Sequence, residues 1–358
     1  MTMILADTIP YGNILLIQTG FAGDMVLTTP LLRGVRRAAP SARITLLHAP
    51  RTEGLVRCCP HLDDRIVYDK GGESRGAPAA LRLARELRRR RYDLVVSPHR
   101  SIRSGLLALA SGAERRVGFD HVPSALFYTD VVPYSRWEST FVRRKLRLLE
   151  PLGIVERDER TEAYFGDDDA AEANALLEEA GLGRPFAVLA IGSAWATKRW
   201  PPRRFGELAA LLGERGIAAA LVGGPSDREA AAEAMRFGPS ADLTGRTTFG
   251  VLAAILSRAA LFVGNDSGAL HLASAAGTPS VALFGPTGPE QFRFDDKVRV
   301  VRSEAPCAPC SDHGSERCPL GDWVCLPGIG AERVAREAAS LLAGAGALSS
   351  GGEGSTDG

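Results

Sequence analysis

The sequence predicts an α/β protein with two doubly wound parallel sheets in tandem. Short apolar runs typical of buried parallel strands alternate with amphipathic stretches of helix length. This alternation begins anew in the second half of the chain. The length of 358 residues exceeds one ordinary domain and fits two. We therefore expect two Rossmann-like domains.

The first half has strand and helix patterns in βαβ order. The predicted strands are 13–17, 43–47 and 93–97, and the predicted helices are 25–39 and 79–90. Pro30 falls in the first two turns of the first helix, and the GFAGD segment at 20–24 is a loop. The order predicts a parallel sheet for the first domain, which we place at 1–165.

The second half repeats the pattern and ends in a tail rich in Gly and Ser. The predicted helices are 167–180, 202–215 and 249–257, and the predicted strands are 186–191, 218–224 and 260–263. The helix at 202 starts with a proline, which helices tolerate there. We place the second domain at 166–343 and predict a disordered tail at 344–358.

Composition indicates a soluble globular protein, with 45% hydrophobic and 24% charged residues. No apolar run reaches the eighteen residues typical of a membrane span. The first eleven residues lack the basic start and apolar core of a signal peptide. We therefore expect a cytoplasmic protein.

Charge is unevenly distributed along the chain. Residues 1–160 carry net +9 and residues 161–358 carry net −8. A basic half suggests an anionic partner, such as a phosphorylated substrate, a membrane surface or nucleic acid. The densest basic run, 88–91, closes a predicted helix, and a solvated helix end accounts for it.

Four cysteines form a C-x2-C-x7-C-x6-C pattern, namely Cys307, Cys310, Cys318 and Cys325. In a cytosolic chain such a cluster favours metal over disulfides. The first pair has zinc-knuckle spacing, whereas the later spacings are irregular. Two interpretations stay open: a structural zinc or iron–sulfur site, or reduced thiols.

The segment GNDSGALHLA (264–273) indicates a strand end, a polar turn and a helix start. Asp266 and Ser267 fall where free backbone N–H groups and a partial positive charge suit a phosphate or diphosphate. His271 lies one helical turn deeper, on a face that reaches the same ligand. The alternative is an Asp/Ser helix cap beside a core histidine.

Two further loops follow strands and precede helices. In GFAGD the glycines permit a tight turn, and Asp24 opens the helix as a cap or as a base for a substrate hydroxyl. In IGSAWATKRWP (191–201), Ser193, Thr197 and Lys198 suit a diphosphate, although a solvated loop is the alternative. With GGPSD (223–227), the polar loops of the second half predict a nucleotide site.

Four segments together resemble glycosyltransferase family 9, the ADP-heptose:lipopolysaccharide heptosyltransferases, and among them heptosyltransferase II. They are 14–37, 192–205, 222–227 and 264–287, and the cysteine-rich segment 307–325 is similar too. The resemblance implies a GT-B fold, two Rossmann-like domains facing a central cleft. It also implies inverting transfer of L-glycero-D-manno-heptose from ADP-heptose to an inner-core sugar of lipopolysaccharide, with no cofactor for catalysis.

The resemblance also implies roles for individual residues. Asp24 matches the general base, and Lys198 and Ser193 match residues that hold the donor diphosphate. The donor motif D-[ST]-G-x-x-H matches Asp266, Ser267, Gly268 and His271. Candidates for acceptor binding are Gly23, His99, Arg100 and Arg103, with a solvated loop as the alternative for the last three. Departures from the family pattern are Gln18 (commonly Arg), Gly20 (commonly Ser) and Ala269 (commonly Pro or Leu).

The expected partners are an ADP-sugar donor and an anionic, lipid-linked saccharide acceptor, with peripheral contact at the cytoplasmic face of the inner membrane. Nucleic acid is not expected. Alternatives are a family member that uses another nucleotide sugar or acceptor, and a non-catalytic relative that binds nucleotide sugars. The missing G-x-G-x-x-G pattern disfavours an oxidoreductase, and the fold alone does not separate these functions.

Overall fold

A computed structural model describes residues 9–71, 76–135 and 140–344. The chain divides into two compact units. One runs to Phe165 and includes Glu290–Arg293, and the other comprises Gly166–Pro289 and the chain from Phe294 onward. Each unit is built on a six-stranded parallel sheet, which confirms the predicted fold class. The predicted disordered tail began at Gly344, which the structure instead makes the last residue of a helix, and its remainder, 345–358, lies outside the described residues.

The first sheet has the strand order β3-β2-β1-β4-β5-β6. Its strands are β1 (Asn13–Gln18), β2 (Arg43–His48), β3 (Asp64–Val67), β4 (Leu94–Ser97), β5 (Arg115–Phe119) and β6 (Asp130–Val132). The central strand β1 pairs in parallel with both β2 and β4, so Ile14 lies opposite Ile44 and Leu94. Strand order reverses between β1 and β4, where ligands of doubly wound sheets bind.

Six α-helices accompany this sheet in the described part of the unit. They are α1 (Ala22–Val26), α2 (Thr29–Ala38), α3 (Glu53–Val56), α4 (Ala77–Arg89), α5 (Ile102–Ser111) and α6 (Phe141–Leu146). Short 3₁₀ turns occur at Pro50–Thr52, Ser124–Phe127 and Arg147–Leu152.

The prediction of one continuous helix over 25–39 is wrong. Pro30 has no N–H, and its ring would clash with the carbonyl of Val26 in a continuous helix, so the chain breaks and restarts as α2. Two hydroxyls bind carbonyl groups near the break. Thr28 Oγ1 donates to the carbonyl of Asp24 at 2.6 Å, and Thr29 Oγ1 donates to that of Val26 at 2.8 Å.

The second sheet has the order β12-β11-β10-β7-β8-β9. Its strands are β7 (Phe186–Ala190), β8 (Ala218–Val222), β9 (Ala241–Asp242), β10 (Leu261–Asn265), β11 (Ser280–Phe284) and β12 (Val298–Arg302). Every residue of β7, β10 and β11 is buried, as expected for parallel strands covered on both faces. Here the order reverses between β7 and β10.

The helices predicted at 167–180, 202–215 and 249–257 are present to within two residues, a helix begins after Ser267 as expected, and two further helices had no predicted counterpart. The helices of the second unit are α7 (Asp167–Glu179), α8 (Pro202–Gly213), α9 (Arg228–Ala234), α10 (Phe249–Leu256), α11 (Gly268–Ala275) and α12 (Ala331–Gly344). Short 3₁₀ turns occur at Ala196–Lys198, Pro225–Asp227 and Pro289–Gln291. Across the ranges that the structure covers, no helix combines the length and hydropathy needed to cross a bilayer.

Candidate active site

The loops after β7 and β10 meet at the point where strand order reverses in the second sheet. The segment 191–200 follows β7, and Asp266 and Ser267 follow β10 directly. Because neighbouring parallel strands present their carboxyl ends at one edge, these loops occupy the position at which open α/β sheets bind ligands. The structure thus brings together two motifs that lie some seventy residues apart in the sequence.

Lys198 and Asp266 form a buried ion pair at this edge. Lys198 Nζ lies 2.5 Å from Asp266 Oδ2, and the two side chains are only 13% and 6% exposed. Thr287 Oγ1 donates to the same carboxylate oxygen at 2.7 Å. Lys198, which we predict to bind a diphosphate, is therefore paired with Asp266 of the predicted donor motif.

Ser267 does not cap the helix that follows it. It stands directly before Gly268, the first residue of α11, yet its side chain makes no cap hydrogen bond. Its Oγ is buried and has no hydrogen-bond partner among the described residues. Leaving a buried hydroxyl unpaired costs about 1–3 kcal/mol. Of the two interpretations from the sequence, ligand binding therefore fits Ser267 better than helix capping.

His271 lies one turn into α11, as the spacing predicts. It is buried, and its Nε2 is 3.9 Å from Asp266 Oδ1. Its ring stacks nearly parallel to that of Phe294, with centroids 6.5 Å apart. The histidine therefore belongs to the same cluster as the Lys198–Asp266 pair.

Asn265 is a positioning residue that the sequence interpretation missed. It ends β10 and is fully buried. Its Oδ1 accepts from the Trp200 N–H at 2.8 Å, and its Nδ2 donates to the carbonyls of Ile191 and Gly192 at 3.1 and 3.3 Å. One side chain thus fixes both ends of the loop that carries Lys198. The sequence offered one signal for this role, namely an asparagine just after the apolar run 260–263.

Asp227 joins the third predicted loop to this site. Its Oδ2 accepts from the Gly224 N–H at 2.8 Å, and its carboxylate lies 3.4 Å from Arg199. Arg199 in turn donates twice to the carbonyl of Ser193. A Cβ at Gly192 would lie 2.3 Å from Asp227 Oδ2, so this close approach requires glycine. The structure therefore joins all three predicted loops.

Thr197 is occupied by the cysteine-rich segment. Its Oγ1 donates to the carbonyl of Ser315 at 2.8 Å and accepts from the Ser315 N–H at 2.9 Å. Trp323 Nε1 donates to the Thr197 carbonyl at 3.1 Å. In this structure Thr197 supports the lysine loop, and its direct contact with a donor stays a prediction.

The four cysteines of the pattern line one small cavity of about 20 Å³, together with Thr197 and Trp323. None of the four forms a disulfide, and burial raises the pKa of Cys310 and of Cys325. In the ranges covered, no group of three or more His, Cys, Asp or Glu residues is arranged to hold a metal ion. The four cysteine side chains therefore lie around one cavity, and a metal site there stays a prediction.

The first unit presents Asp24 at its own point of strand reversal, after β1. Asp24 is the third residue of α1, so it lies in the first turn, after Gly23, but does not open the helix. A Cβ at Gly20 would lie 2.9 Å from both Asp24 Oδ2 and Gln18 Oε1. Glycine at this position therefore lets the loop close against the carboxylate.

Lys145, which the sequence interpretation missed, pairs with Asp24. Its Nζ lies 3.5 Å from Asp24 Oδ1 and donates to the Asp24 carbonyl at 3.3 Å. Burial lowers the pKa of Lys145, and the charge of Asp24 opposes that shift. A signal existed in the composition, because the chain has only four lysines against 39 arginines. Lys145 and Lys198 are two of the four.

His99 lies in the loop after β4. Its Nδ1 is 3.0 Å from Thr19 Oγ1 and 2.9 Å from Ser104 Oγ. Burial, and then the charge of Lys70, lower the pKa of His99 to about 4. The imidazole is therefore neutral at pH 7 and can contribute hydrogen bonds but no charge to an acceptor.

Positive charge near His99 comes from other residues. Lys70 Nζ donates to the Thr19 carbonyl at 3.0 Å. Burial lowers the pKa of Lys70, and the charges of Arg103 and Arg51 lower it further, so each arginine is near enough to Lys70 to repel its charge. Arg100 instead stacks on the Tyr134 ring at 3.7 Å. Lys70 and Arg51 were not predicted, since they follow other strands than β4.

Comparison with known proteins identifies the family of this chain. The model of glycosyltransferase family 9 (heptosyltransferase) matches residues 80–320. Lipopolysaccharide heptosyltransferase 3 of Escherichia coli is 28% identical over 279 residues, which cover 75% of this chain and 82% of that protein.

Two solved structures share the fold. A glycosyltransferase family 9 protein from Veillonella parvula has a TM-score of 0.81 and 26% identity, with 95% of this chain and 99% of that chain covered. E. coli ADP-heptose lps heptosyltransferase II has a TM-score of 0.77 and 24% identity, with 94% and 100% covered. With the family model matching two thirds of its length, this chain belongs to glycosyltransferase family 9, the heptosyltransferases.

Proposed function

We propose that the protein transfers heptose from ADP-heptose to a sugar of the lipopolysaccharide core with inversion at the anomeric carbon. Asp24 takes the proton of the acceptor hydroxyl, and the acceptor oxygen forms a bond to C1 of the heptose. The bond from C1 to the diphosphate oxygen breaks, and its electron pair leaves with ADP. The observation that carries this proposal is the Lys198–Asp266 pair beside the unpartnered Ser267 hydroxyl.

The donor site has to stabilise the leaving group of the reaction. Departing ADP gains negative charge, which must be stabilised in a site that excludes water. Lys198 supplies a positive charge, Ser267 a hydroxyl, and the N-terminus of α11 free N–H groups. The name of the similar E. coli enzyme, ADP-heptose lps heptosyltransferase II, supports ADP-heptose as the donor.

The candidate acceptor site is positively charged. The charge of Lys70 lowers the pKa of His99, and the charges of Arg103 and Arg51 act in turn on Lys70. Three neighbouring cations favour an anionic group such as a phosphate or a carboxylate. We therefore propose an anionic saccharide acceptor, linked to a lipid as in the core of lipopolysaccharide, for a protein that works at the cytoplasmic face of the membrane.

The test is a calorimetric titration with ADP, ADP-heptose, and UDP- and GDP-sugars. We expect binding of the ADP species at least tenfold tighter than that of the others. Preference for a UDP- or GDP-sugar would contradict the donor assignment. Absence of any nucleotide binding would contradict the enzymatic proposal as a whole, in favour of a different role.

We further propose that the four clustered cysteines hold one structural zinc ion or an iron–sulfur centre outside the reaction. Their convergence on one cavity next to Thr197 supports this. We expect about one equivalent of zinc, or stoichiometric iron, by elemental analysis of protein purified without added metal. Less than about a tenth of an equivalent would contradict the proposal, and Cys310→Ser should lower the metal content if it is right.

A further inference from the structure

We infer that one face of the first unit docks on a lipid bilayer with anionic headgroups. This face consists of an apolar ridge on α5 and the adjacent turn, and of the exposed arginines of α4. We define the apolar ridge as Ile102, Leu106, Leu109, Val122 and Leu126. The inference rests on this surface and does not depend on the donor chemistry proposed above.

The helix supplies a continuous apolar stripe. Ile102, Leu106 and Leu109 are 46%, 47% and 46% exposed. At 100° per residue these three side chains fall within an arc of about 60° on the helix. The opposite side of α5, with Ser104, Leu107 and Ala108, is buried. Thus α5 carries apolar side chains on its exposed side as well as on its buried side, whereas a surface helix normally turns polar residues to water.

The turn at Ser124–Phe127 extends the stripe sideways. Val122 and Leu126 are 78% and 82% exposed. The turn packs tightly on α5, because a Cβ at Gly105 would lie 2.6 Å from Phe127 Cδ2 and 3.1 Å from the Ser124 carbonyl oxygen. Such close packing holds the two exposed side chains next to the helix. Apolar ridges of this kind mark interaction sites.

Charge identifies the partner as an anionic surface. Neither α5 nor residues 121–127 contain an Asp or Glu. Helix α4 packs against α5 and exposes Arg82 and Arg85, while its one acid, Glu86, is paired with Arg90 at 2.8 Å. Aliphatic side chains flanked by arginines match the boundary between acyl chains and phosphates. Two copies joined through this face would instead bring their arginine clusters together.

The position of the surface agrees with a lipid-linked acceptor. Helix α5 begins at Ile102, three residues after His99, in the loop that follows β4. Docking through α5 would therefore hold the candidate acceptor loop at headgroup level. An enzyme so placed meets its acceptor by diffusion within the membrane plane.

The experiment is co-sedimentation of the full chain with vesicles of phosphatidylethanolamine and phosphatidylglycerol, against vesicles of phosphatidylcholine alone. We expect binding to the anionic vesicles that weakens between 0.1 and 0.5 M NaCl. The ridge variant Ile102→Gln/Leu106→Gln/Leu126→Gln should bind at least tenfold more weakly. Arg82→Gln/Arg85→Gln should lose about fivefold per arginine on anionic vesicles only.

A matched control replaces exposed apolar side chains elsewhere, as Val155→Gln/Met235→Gln/Leu320→Gln. It should bind vesicles like the wild type. Both triple variants should keep the melting temperature and the ADP titration of the wild type, so a loss of docking is separable from a failure of the proposed function. Unchanged vesicle binding by the ridge variant would overturn the inference. So would a solution dimer that the ridge substitutions dissociate, since a second copy would then occupy this face.

Discussion

Replacing Asp24 with asparagine is expected to lower kcat by about 100- to 10,000-fold. The change keeps the size of the side chain but removes the oxygen that takes the acceptor proton. Donor affinity should stay near that of the wild type, because the Lys198–Asp266 site lies in the other unit. Steady-state release of ADP gives kcat, and calorimetry gives the donor Kd. Turnover equal to that of the wild type would remove Asp24 as the base.

Lys145 offers an internal control for that result. Lys145→Met keeps the length of the side chain but removes the charge 3.5 Å from Asp24 Oδ1. We expect a smaller loss in kcat than for Asp24→Asn, since the base is then present but no longer held by its partner. The double variant should be no slower than Asp24→Asn alone, because residues that act as a unit are not additive. Additive losses would show that Lys145 acts independently of Asp24.

The arrangement of the candidate donor site was predictable because its residues lie in short segments directly after strands. Asp266, Ser267 and His271 follow β10, and Lys198 lies in the loop after β7, so the βαβ pattern alone brings them to one edge. The burial that makes Ser267 an unpaired hydroxyl, and the Asn265 contacts that fix the lysine loop, depend on side-chain packing. No spacing rule in the sequence expresses them.

The Asp24 site was harder to predict for a physical reason. Its partner Lys145 is 121 residues away and reaches it only because α6 packs on α2. The predicted helix over 25–39 is also interrupted before Pro30, because proline disfavours a continuous helix there. Tertiary contacts of this range leave no local pattern. Only the scarcity of lysine in this chain pointed towards Lys145.

Replacing Lys198 with alanine is expected to weaken ADP-sugar binding by about 10- to 100-fold, the effect of losing one charged contact to the diphosphate. Acceptor KM should change little. The variant also leaves the buried Asp266 carboxylate without its counter-charge, so the carboxylate would repel the incoming diphosphate. Calorimetric titration with ADP separates the donor effect from turnover. An unchanged titration would exclude Lys198 from the diphosphate site.

Two further variants separate the parts of that effect. In Lys198→Ala/Asp266→Asn the repulsion is removed, so donor affinity should recover in part while kcat stays low, because no cation then stabilises departing ADP. Lys297→Ala is the matched control: this lysine lies in the same unit and donates to the Gly277 carbonyl at 3.3 Å. It should leave the titration unchanged. A full recovery of kcat in the double variant would mean that Lys198 serves only to neutralise Asp266, and the charge on the leaving group would then need another source.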